Sequence, residues 1–257
     1  MSGFTVQNVS KIYDGDLPTT TLQNINLQVR DGEFLCILGP SGCGKSTLLE
    51  LLAGLQAPTE GEILLDDVPV KGPTRQSGVV FQDASLYPWR NIAQNVGLGL
   101  EIGGMNKAER QELVHKYLNM VGLEGFGSKY PHHLSGGMRQ RAGIARALVG
   151  SPKILLMDEP FGAVDHLTRL QLQQDLLRIW QEEQKTVVFV THDVSEAVFL
   201  ADRIVLLSPR PGRIHHIFEV REERPRKRED AGLLKIQNDI YSAIYDVKTE
   251  EDLEFTI

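Results

Sequence analysis

Three observations predict an α/β fold for this 257-residue chain. Short aliphatic and β-branched runs recur along it, several of them apolar throughout rather than alternating, as strands covered on both faces by helices read. Helix-prone segments follow the loop at Gly39, the motif at Leu134 and the segment at Asp165. Between Trp89 and Gly150 the strand signal vanishes, which marks a helical insertion within the α/β core.

Taken in order, strands are expected at Phe4–Val9, Phe34–Leu38, Glu62–Leu65, Gly78–Phe81, Ile154–Met157, Thr186–Val190 and Arg203–Leu207. Helices are expected at Lys45–Gly54, Asn106–Met120, Met138–Leu148 and Leu167–Gln184. In Asn106–Met120 and just past it, Leu113, Tyr117, Leu118 and Val121 share one face, with Lys107, Glu109 and Arg110 outside. The charged run Arg221–Asp230 resembles a linker. After it, Leu233, Ile236, Ile240 and Ile244 follow helical spacing, and the acidic end Thr249–Glu254 is expected to fray. The expected organisation is a main domain over 1–218, with the helical insertion at about 89–150, and a linker with a helical tail over 219–257.

Composition is that of a globular protein, 41% hydrophobic and 24% charged. The net charge of −7 argues against a nucleic-acid partner, which favours a basic face. Met1–Tyr13 lacks the apolar core of a signal peptide, and no apolar run is long enough to span a bilayer. A membrane role must therefore come through a partner. Cys36 and Cys43 have no metal-type partners and read as reduced cytosolic thiols.

The densest chemistry lies in Gly39-Pro40-Ser41-Gly42-Cys43-Gly44-Lys45-Ser46-Thr47, directly after the strand Phe34–Leu38. This is the P-loop pattern in the context it requires. Its glycines let backbone N–H groups wrap phosphates, and the helix N-terminus that follows favours their charge. Lys45 is placed to reach the β- and γ-phosphates of ATP, and the Ser46 hydroxyl to ligate Mg²⁺. A flexible Gly-rich turn is the plain alternative, but glycine averages only about 7% of residues in proteins, so a chance match in a chain this long is on the order of one in a hundred.

The apolar strand Ile154–Met157 runs into two carboxylates, Asp158 and Glu159. Neighbouring side chains of a strand point to opposite faces, so the two acids can hold different tasks. Asp158 suits the Mg²⁺ shell, and Glu159 suits polarising an attacking water. A second phosphate cradle stands at Leu134-Ser135-Gly136-Gly137-Met138-Arg139-Gln140-Arg141, again ahead of a helix, with no lysine of its own. One nucleotide site needs one P-loop, so the spare cradle points to pairs of chains, each closing the other's site. An ordinary serine N-cap explains Ser135 alone.

The octet Leu134–Arg141 resembles the signature motif of ATP-binding cassette ATPases. That resemblance covers about Phe4 to Ile217. It implies a P-loop NTPase (RecA-like) core with an antiparallel β subdomain and an inserted α-helical subdomain. Tyr13 is similar to the family's adenine-stacking aromatic, and Gln82 to its Q-loop glutamine, which touches Mg²⁺ and reports to a membrane partner. Asp165 resembles the D-loop aspartate at the dimer seam. His192 resembles the switch histidine that holds the γ-phosphate and orients water. The resemblance further implies a homodimer, transmembrane permease subunits, indirectly an extracytoplasmic solute-binding protein, and a peripheral place on the cytoplasmic face of the cell membrane. The pairs His132–His133 and His215–His216 are read as structural.

Within the family, Val79–Trp89, Asn95–Leu100, Met157–Arg169 and Leu207–Arg213 resemble importer ATPases for nitrate, sulfonates and taurine. Asp67 stands where that group commonly has Gly, and His133 where Gln is common. Import of another solute, such as a pyrimidine precursor of thiamine, stays open, as does a soluble non-transport cassette. The latter usually has two cassettes per chain or a coiled-coil insert. A P-loop kinase lacks the octet and needs an acceptor lid.

Overall fold

Residues 3–254, except 16 and 163, are described by the computed structural model, with side chains through residue 246. In chain order they open with β1 (Phe4–Tyr13), β2 (Thr19–Gln28), β3 (Phe34–Leu38) and α1 (Lys45–Leu52). The strands β4 (Glu60–Leu65), β5 (Val68–Pro69) and β6 (Ser77–Val80) follow. The helices α2 (Ile92–Val96), α3 (Leu98–Ile102), α4 (Lys107–Met120) and α5 (Gly136–Leu148) come next, the last preceded by a 3₁₀ turn at Pro131–His133. The chain continues through β7 (Ile154–Asp158), α6 (His166–Glu183), β8 (Thr186–Val190), α7 (Val194–Leu200), β9 (Arg203–Leu207), β10 (Ile214–Glu219) and α8 (Ala231–Glu254).

Contacts divide the chain into two units, Met1–Pro73 with Thr186–Ile257, and Thr74–Lys185. In the first, β2, β1, β4 and β5 form an antiparallel sheet in that order. The β4–β5 hairpin turns on Asp66 and Asp67, at φ 52° and 61°. That is the pattern of a type I′ turn, which Asp tolerates, so Asp67 replaces glycine without reshaping the hairpin. The same unit carries β10, β9, β3 and β8 side by side, with β3 parallel to both neighbours and β10 antiparallel. Every residue of β3, β8 and β9 is buried, as expected of strands covered on both sides.

β2 and β10 escaped the sequence reading for the opposite reason. In β2, Leu22, Ile25 and Leu27 are buried while Gln23, Asn24, Asn26 and Gln28 are not. Such a half-exposed antiparallel strand reads as a mixed polar segment.

The second unit pairs β6 parallel to β7, from Ser77↔Ile154 to Val80↔Met157, and contributes the helices α2 to α6. Between Val80 and Ile154 the described residues form no strand. α4 is capped by Asn106, whose side chain accepts from the Glu109 N–H. Its buried face is Val114, Tyr117 and Leu118, continued by Val121. Leu113, expected on that face, is only half-buried, because Val114 fits the 3.6-residue stripe through 117, 118 and 121 better.

The run Arg221–Asp230 joins β10 to α8 with alternate residues exposed, but it is also anchored to the first unit. Arg226 is buried, and Arg224 and Arg226 bond to backbone carbonyls of the first unit. Leu233 and Ile240 of α8 are buried as their spacing predicts, and α8 packs on α7 and β10. The acidic end of the chain lies among side chains outside the described residues.

Candidate functional site

In the first unit, β3 delivers the backbone into Gly39–Gly44 and α1 carries it away. Gly44 caps α1 at φ 100°, and a Cβ there would lie 2.7 Å from the Leu22 side chain. Only glycine turns the chain this tightly so close to β2. Lys45 is buried, its ammonium donating to the carbonyls of Gly39 and Pro40 at 2.8 and 2.9 Å. The lysine thus bridges its own loop, with its charge held against two of that loop's carbonyls. Ser46 is exposed in the first turn of α1 and Thr47 is half-buried beside it. The first-turn N–H groups have no intrahelical acceptors. Burial pushes the Cys43 thiol up, against the pull of Lys45.

His192 emerges exposed just after β8. It lines, with Gly39–Gly42, a cavity of about 600 Å³. The structure therefore brings the histidine and the phosphate loop to one place. Tyr13 is the last residue of β1 and 38% exposed, its hydroxyl donating to Gln56 Oε1 at 2.9 Å and Lys11 Nζ 5.1 Å from the ring centroid.

In the second unit, Asp158 ends β7 and both acids are half-buried. Glu159 is not in the strand: it adopts φ 41°, and its carbonyl accepts from the Gly162 N–H at 3.0 Å. The two acids are separated by this left-handed step rather than by strand alternation. A non-glycine residue held in this left-handed region carries strain. Gln82 and Glu159 both face Gly162. A Cβ on Gly162 would lie 3.4 Å from Gln82 Nε2 and 3.9 Å from Glu159 Oε2. Ser46 in the first unit offers a hydroxyl oxygen, and Gln82 and Asp158 in the second offer an amide and a carboxylate oxygen, each by itself a hard donor of the kind Mg²⁺ takes.

Ser135 caps α5, its Oγ accepting from the Met138 N–H at 3.3 Å, which leaves Ser135 exposed and Gly136 half-exposed at the helix start. Leu134 is buried behind them, its carbonyl held by Arg139 at 2.6 Å. Gly137 packs directly on Thr168 of α6. The cap of α6 is Asp165, which accepts from the Thr168 N–H at 3.0 Å. Hydrogen bonding to Thr168 holds the Asp165 carboxyl below its usual range. Gln140 is buried and donates to the Phe81 carbonyl at 3.3 Å, so the signature helix also anchors the start of the Gln82 loop.

Two residues that sequence reasoning missed fix the rest of that loop. Arg146 donates to the carbonyls of Ala84 and Ser85, both at 2.7 Å. Asn95, fully buried in α2, accepts from the Tyr87 N–H at 2.7 Å and donates to the carbonyls of Tyr87, Arg90 and Asn91. The available signal was a lone amide between Ile92 and Val96, on the apolar side of a short helix. These anchors leave Tyr87 and Trp89 presented outward, Trp89 71% exposed. Asn95→Ala strips partners from several backbone groups at once and is expected to destabilise the chain by about 2 to 3 kcal/mol. Urea denaturation measures this, and an unchanged midpoint would show the amide to be dispensable.

The sequence profile described as ABC transporter matches residues 22–162. An uncharacterized ABC transporter ATP-binding protein of Methanocaldococcus jannaschii is 52% identical over 242 residues, 94% of this chain and 91% of the relative. A taurine import ATP-binding protein of Pseudomonas putida is 50% identical over 214 residues, 83% of this chain and 81% of that one. Among solved structures, a dimeric ATP-binding cassette in a post-hydrolysis state with ADP and Pi superimposes with a TM-score of 0.77 at 36% identity, covering 86% of this chain and 100% of that one. The motifs, the fold and these likenesses agree: the chain belongs to the ABC transporter family, as one of its ATP-hydrolysing subunits.

Proposed function

We propose that this chain powers an importer for a small sulfonate such as taurine, or for a related small anion such as nitrate. It works as a homodimer docked on a membrane permease at the cytoplasmic face, with a solute-binding protein acting on the far side. The observation that carries the dimer is the pair of helix starts described above. One is armed with Lys45; the other, at Ser135, has N–H donors and no lysine. Two chains arranged head to tail give each ATP both halves. The similar structure described as dimeric supports pairing, and the relatives named for taurine import support the solute class.

In this reading Gly39–Thr47 enclose the phosphates, Lys45 neutralises their charge and Tyr13 stacks on the adenine. Glu159 orients and polarises the attacking water, and His192 holds the γ-phosphate. Mg²⁺, held with the phosphates by Ser46, Asp158 and Gln82, supplies further charge neutralisation. From the second chain, Leu134, Ser135, Gly136, Gly137 and Gln140 form the opposing cradle, with Asp165 at the seam. Loss of the γ-phosphate removes what the two chains share, so hydrolysis reopens the pair. Catalysis is then positioning and electrostatics, with little covalent work by the protein. The anchored loop bearing Tyr87 and Trp89 offers an apolar, pre-shaped contact to the permease.

The test is reconstitution. The tagged chain, purified from its native membranes, is expected to bring its permease with it. In proteoliposomes, taurine or nitrate with the cognate binding protein should stimulate ATP hydrolysis severalfold. Stimulation by a different solute class alone would overturn the cargo assignment.

A further inference from the structure

The strap between β10 and α8 closes off one end of α7 completely. A helix leaves its last four carbonyls without intrahelical partners. For α7 these are Val198, Phe199, Leu200 and Ala201, and two strap arginines take all four. Arg226 Nη1 donates to Val198 O and Phe199 O at 3.2 Å and to Ala201 O at 2.7 Å. Arg224 Nη2 donates to Leu200 O at 2.5 Å, while its other arm pairs with Asp202. Arg226 spends its remaining donors on the Glu222 and Val220 carbonyls at 2.9 and 3.2 Å. Two positive charges also complement the negative end of the helix dipole. Arg228, half-buried, lies 4.0 Å over the Phe199 ring and reaches Ser195 Oγ at 3.5 Å.

The opposite end of α7 is fastened as firmly. Asp193 caps it, accepting from the Glu196 N–H at 3.1 Å. Thr191 Oγ1 donates to the buried Glu196 carboxylate and accepts from the Asp193 N–H at 3.1 Å. His192 stands between Thr191 and Asp193, so its backbone is fastened on both sides to the start of α7. Burying a guanidinium is costly without full pairing, and desolvation pulls the Arg226 pKa down to about 10. A tether to α8 needs no such group.

We propose that Arg226 is a positioning residue for ATP hydrolysis: through α7 it sets His192 against the γ-phosphate. This rests on the reading of His192 given above. In the full chain, Arg226→Met is expected to lower kcat about tenfold, with KM for ATP and affinity for ADP, which lacks the γ-phosphate, within about twofold. The discriminating measurement is a double-mutant cycle. In a His192→Ala background the same substitution should change kcat by less than about twofold, since the group it positions is gone. Should Arg226→Met fail to fold, Arg228→Gln serves instead, with a loss of about threefold that likewise disappears in His192→Ala. Equal proportional losses in both backgrounds, or a matching loss of ADP affinity, would overturn the proposal. Wild-type turnover in His192→Ala alone would instead remove the reading of His192 on which it rests. The two failures are therefore distinguishable.

Discussion

Glu159→Gln is expected to lower ATP turnover by a factor on the order of 10² to 10⁴, the usual span for removing a general base. The amide keeps the size of the side chain and the local backbone, so nucleotide affinity should stay within about twofold. A fall in kcat without a change in KM identifies an interaction made only in the transition state. The geometry favours a clean result. Glu159 sits past the end of β7 with its carboxylate beside Gly162, where Gln82 also points. Neither lies in the phosphate loop, so the enclosing contacts are untouched. The same variant offers a second readout: it should accumulate as an ATP-bound dimer that ADP does not support, measurable by light scattering with Mg²⁺ present. Turnover at the wild-type rate would remove Glu159 from the chemistry, and persistent monomers would remove the head-to-tail sandwich.

Gly212→Ala should be the most damaging single methyl group that can be added behind the phosphate loop. Gly212 donates to the Thr21 carbonyl at 2.8 Å and accepts from the Gln23 N–H at 2.9 Å, which pins the 208–213 turn to β2. A Cβ there would lie 2.1 Å from the carbonyl oxygen of Cys43. That oxygen belongs to the backbone between Gly42 and Gly44, so no side-chain rotation relieves the clash. Overpacking costs about 1 to 3 kcal/mol, occasionally more, and a backbone collision belongs at the top of that range. The displaced carbonyl also shifts the loop that cups the phosphates, so ATP affinity should fall about tenfold or more. Thermal unfolding and nucleotide titration together check this. A folded variant with unchanged ATP affinity would show that the turn does not buttress the loop.

The legible parts of the fold were those with one strong signal. β3, β8 and β9 are buried on both faces, and their continuous apolar runs were read to the residue. α5 and α6 were placed by the motifs that precede them, and α4 was long enough for its period to emerge. The five-residue α2 and α3 and the seven-residue α7 were not, since two turns give too few positions to define a stripe. The phosphate loop and the signature were legible because both need particular residue types at fixed spacing. What supports them was hidden. Leu22 and Gly212 brace Gly44 and Cys43 from segments distant in sequence, and nothing local announces those contacts. The strap misled for a different reason: a run of charge usually means solvation, yet its guanidiniums found carbonyls, which no composition reveals.

The left-handed backbone at Glu159 bears on how such a protein could be improved. A glycine or asparagine would fit φ 41° more comfortably. Engineering for heat resistance alone would therefore favour discarding the residue that turnover is expected to need. Robustness and turnover pull in opposite directions at this one position. Any stabilised variant has to find its gains elsewhere, in the sheets and helices that brace the loop rather than in the loop's own strained joint.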